Sequence, residues 1–210
     1  MEFLAQDRYK QTVLLAVLVA FVASCISPPY PRFLLMQHVP TLLGAIVLAY
    51  VSHRFAISRA SFTSISIFLC LHTLGARYLY SFTPYDAWSE TLLGISINET
   101  FGWTRNHFDR FVHFCYGLLM AAPVQEFERR HLGLSLLLSS MLAIECILAT
   151  SAAYEIIEWL VAVIFTPEWA DQFLGQQGDI FDGQKDMALA TAGALLSIGF
   201  IAVRGSRRAQ

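Results

Sequence analysis

Six separate apolar stretches, approximately 11–27, 39–57, 60–81, 108–125, 132–165 and 183–203, constrain this chain more than any other feature. Crossing about 30 Å of hydrocarbon at 1.5 Å per residue takes about 20 apolar residues, and each stretch reaches or approaches that length. In a chain with 56% hydrophobic and only 14% charged residues, against about 25% charged in soluble domains, they read as membrane spans. The expected fold is all-α, a polytopic bundle of six transmembrane helices forming one integral membrane domain over residues 1–210. The fourth stretch is amphipathic and should face neighbouring helices more than lipid. The fifth is too long for one crossing, yet no Gly, Pro or Asn cluster divides it. It is expected to form a single helix that projects from the bilayer and stops before Pro167.

Orientation follows from the Lys and Arg residues in alternate connections. With the N-terminus inside, Arg8, Lys10, Arg54, Arg59, Arg129, Arg130, Arg204, Arg207 and Arg208 lie on the cytoplasmic side. Only Arg32, Arg77, Arg105, Arg110 and Lys185 lie outside, where most of the acids gather. Both termini are then cytoplasmic. Val22-Ala23-Ser24-Cys25 would also pass as a lipoprotein cleavage site, which would remove the first span. Acidic residues dilute the basic end, and Ser27-Pro28-Pro29 reads as an ordinary span terminus. Cys25, Cys70, Cys115 and Cys146 all fall in apolar runs without a CxxC pair, so they read as small hydrophobes. Trp88, Trp103, Trp159 and Trp169 fall at the outer interface and read as anchors.

This topology brings four distant pieces of polar chain to one membrane face. The third span ends there with His72, Arg77, Tyr78 and Tyr80, and the fourth begins there in RNHFDRFVHF (105–114), which carries Asn106, Asp109, Arg110 and His113. The fifth ends there with Tyr154, Glu155, Glu158 and Trp159. The loop Gln176-Gln177-Gly178-Asp179 enters the sixth through Asp182, Gln184, Lys185 and Asp186. Residues three or four apart share a helix face. Asp109/His113, Glu155/Glu158 and Asp182/Asp186 therefore each present a pair of ligands. Ala190, Gly193 and Ser197 continue the Asp182/Asp186 face, and Ala149 and Ala152 lie between Glu145 and Glu155. Both small-residue stripes should admit a neighbouring helix.

Ionisable groups in or beside hydrocarbon are paired, hydrated or functional. One reading is an ion-pair network in which Arg77, Arg105, Arg110 and Lys185 neutralise the acids and clamp the helix ends, although the acids outnumber these cations. A second is a divalent metal site using His113, Glu155, Glu158 and Asp186, because carboxylate and imidazole on facing helices suit Zn, Mn or Fe. A third is a metal-free acid/base site drawn from Asp109, His113, Glu155, Glu158, Asp182 and Asp186. In the last two, His72, Arg77, Asn106, Arg110, Gln177 and Lys185 are the expected substrate contacts. Glu145, about 17 Å along its helix from the inner edge, and His72 lie at similar depth, which suggests a contact between them.

The blocks RNHFDRFVHF (105–114), SAAYEIIEW (151–159) and FLGQQGDIFDGQKDM (173–187) resemble those of the YjdF-like inner-membrane family of bacteria, a domain of unknown function. The resemblance covers most of the chain. It implies a six-span helical bundle in the bacterial cytoplasmic (inner) membrane and no established activity. More faintly, DRFVHF followed by a later acidic block entering a Gly-containing span is similar to the VanZ-like family, linked to glycopeptide-antibiotic tolerance. The inserted Asp179-Ile-Phe-Asp182 loop departs from that pattern, so the phenotype is not carried over.

Three functions remain open at this point. The first is an enzyme working on an anionic lipid or lipid-linked substrate at the outer leaflet, with Arg110 and Lys185 positioning the headgroup. The second is a small proton-coupled transporter using Glu145, which with six spans and no inverted repeat would need a homo-oligomer to supply its other half. The third is a non-catalytic scaffold or accessory subunit. Membrane lipids are the expected partners in each case, and no nucleic acid partner is expected.

Overall fold

The structure is a computed structural model that describes residues 7–164 and 177–207, with side chains described to residue 204. Helices account for all its regular secondary structure among the described residues. Six are long: α1 (Arg8–Cys25), α2 (Pro31–Arg54), α3 (Arg59–Arg77), α6 (Phe108–His131), α7 (Leu136–Ile164) and α8 (Asp182–Arg207). Two short helices, α4 (Tyr85–Leu93) and α5 (Ile97–Phe101), fill the connection between α3 and α6. The apolar-run reading did not foresee them, because their signals are local. Gly94 and Gly102 end them in left-handed conformations, and the Ser96 side chain caps α5.

Four of the long helices, α1, α2, α7 and α8, are long and apolar enough to cross a membrane. The protein is an all-helical membrane bundle. The other two long helices, α3 and α6, do not reach that hydropathy, and they occupy its centre. Both α1 and α2 pack on α3, while α7 and α8 pack on α6 and on each other, and α3 packs on α6. Two three-helix halves thus meet along the α3–α6 seam, and α6 faces neighbouring helices as expected, although its buried residues lie around the helix rather than on one amphipathic face.

Each half has its own core. In the first, Val17, Leu48, Ile57, Phe62 and Leu69 interlock as large side chains. The second is built from Ala121, Ala143, Ile147, Ala190, Ala194 and Ile198, so its backbones run close together. A Cβ on Gly117 would lie 1.8 Å from the carbonyl oxygen of Ala190, and one on Gly193 would lie 2.1 Å from that of Phe114. Only glycine fits at either place, and the Ala190-Gly193-Ser197 stripe packs against α6 as expected. The expected stripe on α7 is displaced. Ser139, Ala143, Ile147 and Ser151 are its buried residues, whereas Ala149 is exposed. On a helix apolar around its whole circumference, residue size alone does not mark the packed side.

Helix α7 is continuous over 29 residues, about 44 Å, which agrees with one long element. Pro167, Trp169, Gln176 and the first part of the block at 173–187 lie outside the described residues. At the opposite end from α4 and α5, Glu126 of α6 accepts hydrogen bonds from the backbone N–H and hydroxyl of Ser58 and from the Ser61 hydroxyl. It thereby caps α3 and ties the two halves together.

Candidate functional site

The charged groups gathered at the end of the bundle near α4 and α5 divide into a lip and, one helical turn below it, a pit. The lip is an ion-pair lattice. Asp182, at the start of α8, meets Arg105 and Arg110, each at 3.0 Å. Asp179 meets Arg110 and Lys185, with Arg105 at 3.7 Å. Hydrogen bonds from Lys185, the Phe181 backbone and Arg110 hold the Asp179 carboxyl well below the ordinary carboxylate range. Beside the lattice, the Gln177 side chain exchanges hydrogen bonds with the backbone of Asn106. The Asn106 side chain donates to the Thr83 carbonyl and accepts from Phe108 N–H. These two residues, expected among the substrate contacts, lace three connections together at the head of α6. Asp182, expected among the acid/base groups, is likewise committed to the arginines.

Below the lip the pairing stops. Asp109 and His113 are one turn apart on α6, and Asp186 lies one turn below Asp182 on α8. All three are buried, and one ligand atom from each lies within 4.8 Å of the others. His113 Nε2 stands 3.6 Å from Asp109 Oδ1 and 3.7 Å from Glu155 Oε1, too long for hydrogen bonds. Asp186 Oδ1 and Glu155 Oε1 are buried without a hydrogen-bond partner, and Asp186 is only 2% exposed. Gly183 makes room for Glu155, since a Cβ there would come within 2.6 Å of its Oε2. Glu158, half-buried one turn outward, feels the charges of Asp109 and Glu155 but is not one of the three converging groups. The ring of Tyr154 meets His113 edge-on at 6.0 Å.

One expected member is elsewhere, and one expected contact is not made. Arg77 donates to the carbonyls of Ala23, Ser24 and Ile26, where it satisfies the end of α1 and leaves the acids to other cations. Glu145 is exposed on the outer side of α7, whereas His72 is buried on α3 and bonds through Nδ1 to Thr41 at 2.9 Å. The contact suggested between Glu145 and His72 is therefore not formed. Equal depth on two helices says nothing about their rotation. His72 instead joins a buried chain that sequence reasoning missed: Thr41, His38 and Ser24, with Ser24 Oγ to His38 Nε2 at 2.9 Å. His38, three residues before Thr41 on α2, was its available signal.

A cavity of about 300 Å³ adjoins the pit. Its polar end is formed by His72, Tyr80, Asp109 and His113, and from there it descends between α2 and α7 over α3 and α6 to Val51, Ile65 and Met120. Such a centre can hold a cation between its carboxylates or exchange protons through His113.

Comparison with known proteins places the chain. It is 33% identical over 171 residues to the inner membrane protein YjdF of Escherichia coli (strain K12), covering 80% of this chain and 77% of that protein. The YjdF-like resemblance and the inner-membrane location are thereby shown. No solved structure matches. A model for predicted membrane proteins, DUF2238, matches residues 9–207, and the chain belongs to that family.

Proposed function

We propose that the pit is a divalent-metal centre with Asp109, His113 and Asp186 as ligands, serving an enzyme that acts on an anionic lipid or lipid-linked substrate at the outer leaflet. The observation that carries this reading is the unpaired, buried Asp186 beside Asp109 and His113. Ligand atoms about 2.0–2.2 Å from a shared zinc ion lie roughly 3–3.6 Å apart. The observed separations of 3.6 Å and up to 4.8 Å lie close to that spacing. Charge supports it as well. Among the described residues, Asp109, Asp186 and Glu155 make no ion pair with a Lys or Arg, and only His113 stands beside them, so a divalent ion would offset two of those three charges.

A metal at this position supplies Lewis-acid activation of water or of a phosphoryl or carbonyl oxygen. Glu155, adjacent to His113 but outside the triad, is placed to accept a proton from that water. Lys185, paired with Asp179 but half exposed at the lip, is the cation placed to meet an incoming anionic headgroup. Glu145, exposed on the far side of α7, plays no part in this centre, which weakens the carrier reading built on it.

The test is metal analysis of protein purified in mild detergent, before and after reconstitution with Zn²⁺, Mn²⁺ or Fe²⁺. The wild type is expected to hold close to one ion per chain. Asp186→Asn and His113→Ala are each expected to lose at least tenfold in affinity while retaining helix content. A wild type that retains none of the three ions, or variants that retain them fully, would falsify the metal centre.

A further inference from the structure

Extending the lipid-substrate reading, we infer that the cavity beside the pit is a binding site for one hydrocarbon chain of an amphiphile whose oxygen-bearing headgroup is held between His72 and Ser151. The headgroup's chemistry rests on the reading above, whereas the chain site stands on the cavity alone.

Shape comes first. From Asp109 to Met120 the cavity follows eleven residues of α6, about 16 Å of helical rise. A volume of about 300 Å³ over that length gives a cross-section of roughly 20 Å², about that of one extended methylene chain. Polarity comes second. The lower walls are Val51, Ile65, Leu69 and Met120, with the half-exposed Val47 at the side, whereas the outer end carries His72, Tyr80, Asp109 and His113. A graded pocket of this kind, apolar below with a few polar groups above, selects an amphiphile by orientation. In a bilayer such a molecule is always at hand.

The third observation identifies the upper contact. His72 is 6% exposed and Ser151 is 2% exposed, and both line the cavity from different helices, α3 and α7. His72 Nε2 and Ser151 Oγ have no hydrogen-bond partner. His72 Nδ1 is already engaged by Thr41, which fixes the ring and leaves Nε2 without a protein partner in a residue that lines the cavity. Buried polar atoms in an apolar wall carry their full desolvation cost until something bonds to them. An ester, carboxyl, phosphate or hydroxyl oxygen at the top of a single chain would satisfy both and would place the headgroup beside Asp109 and His113.

Native mass spectrometry of the full chain in mild detergent tests this with three probes: palmitate, farnesyl monophosphate and dioleoylphosphatidylglycerol. At least one single-chain probe is expected to bind one-to-one, at least tenfold more tightly than the two-chain phospholipid. Palmitate alone indicates a fatty-acyl source, and farnesyl monophosphate alone indicates a phosphorylated isoprenoid. Val47→Trp fills the cavity from a half-exposed position that tolerates bulk, and Met120→Trp fills its deep end. Each is expected to weaken single-chain binding at least tenfold while leaving metal content at the wild-type level. Asp186→Asn is expected to do the reverse, so the chain site and the metal centre fail separately. Full probe binding by both tryptophan variants, no binding of either single-chain probe, or equal binding of the two-chain lipid would each overturn the assignment.

Discussion

The lip and the pit adjoin at the heads of α6 and α8, where Asp182 and Asp186 are one helical turn apart on α8, and they are opposites electrostatically. In the lip, Asp179 and Asp182 each meet two or more cations within 4.0 Å. In the pit, Asp186 and Glu155 each keep a buried oxygen with no hydrogen-bond partner. Burying a charge is tolerable when it is paired and costly when it is not. The lip is therefore explained by stability, because it clamps the loop before α8 to the head of α6. The pit is not explained by stability. A fold that could place Arg105 and Arg110 against Asp182 leaves Asp186 without a direct ion pair to either arginine one turn lower, which is the arrangement of a site awaiting a ligand.

The largest way to break this contrast is to separate α6 from α8. Gly117→Leu places a side chain where even a Cβ meets the Ala190 carbonyl at 1.8 Å. Since both lip and pit span these two helices, the variant is expected to yield no monodisperse folded protein by size-exclusion chromatography. Next in size is Arg110→Ala. Breaking an isolated buried pair costs about 3–5 kcal/mol, but Arg105 still faces Asp182, so about 2–3 kcal/mol is expected, read as a lower thermal midpoint in detergent. Asp186→Asn sharpens the contrast from the other side. It removes an unpaired buried carboxylate, so the metal-free variant should unfold at a temperature no lower than metal-free wild type. If it unfolds at a lower one, Asp186 has a structural partner and the two regions are alike.

What could be read beforehand divides along the same line. Helical spacing made Asp109/His113 and Asp182/Asp186 visible as pairs, and the topology predicted that α6, α7 and α8 would bring them together with Glu155. Spacing could not tell Asp182 from Asp186. They lie on one face of one helix, and only the reach of Arg105, from the connection between α5 and α6, and of Arg110, from the first turn of α6, decides which is neutralised. Arg77 was misplaced for a related reason. A cation at a helix end serves whatever carbonyls or carboxylates lie nearest, and here those are the carbonyls at the end of α1. Glu126 capping α3, and Thr41 bonding His72, are contacts between helices that share no periodic signal. The apolar spans were legible because hydrocarbon imposes length on each helix separately, and rotation about each axis was not, because a helix apolar all round looks the same from every side.

The smallest expected effect concerns the edge of the lip. The Asp179 carboxyl is held below its ordinary range, first by Lys185 and then by the Phe181 backbone and Arg110. A carboxylate with a depressed folded-state value contributes stability above its unfolded value of about 3.9, and loses it as pH falls through the lower folded value. Asp179→Asn should therefore lower the thermal midpoint by an amount that stays constant from pH 8 to pH 5. That difference should shrink progressively from about pH 4 downward, as first the unfolded and then the folded wild type becomes protonated. Because the pit carboxylates titrate in both proteins, subtracting one melting curve from the other isolates Asp179. A difference that instead changes between pH 8 and pH 5 would mean that Asp179 is coupled to the groups below it. In that case the lip would be the upper shell of the pit rather than a separate clamp.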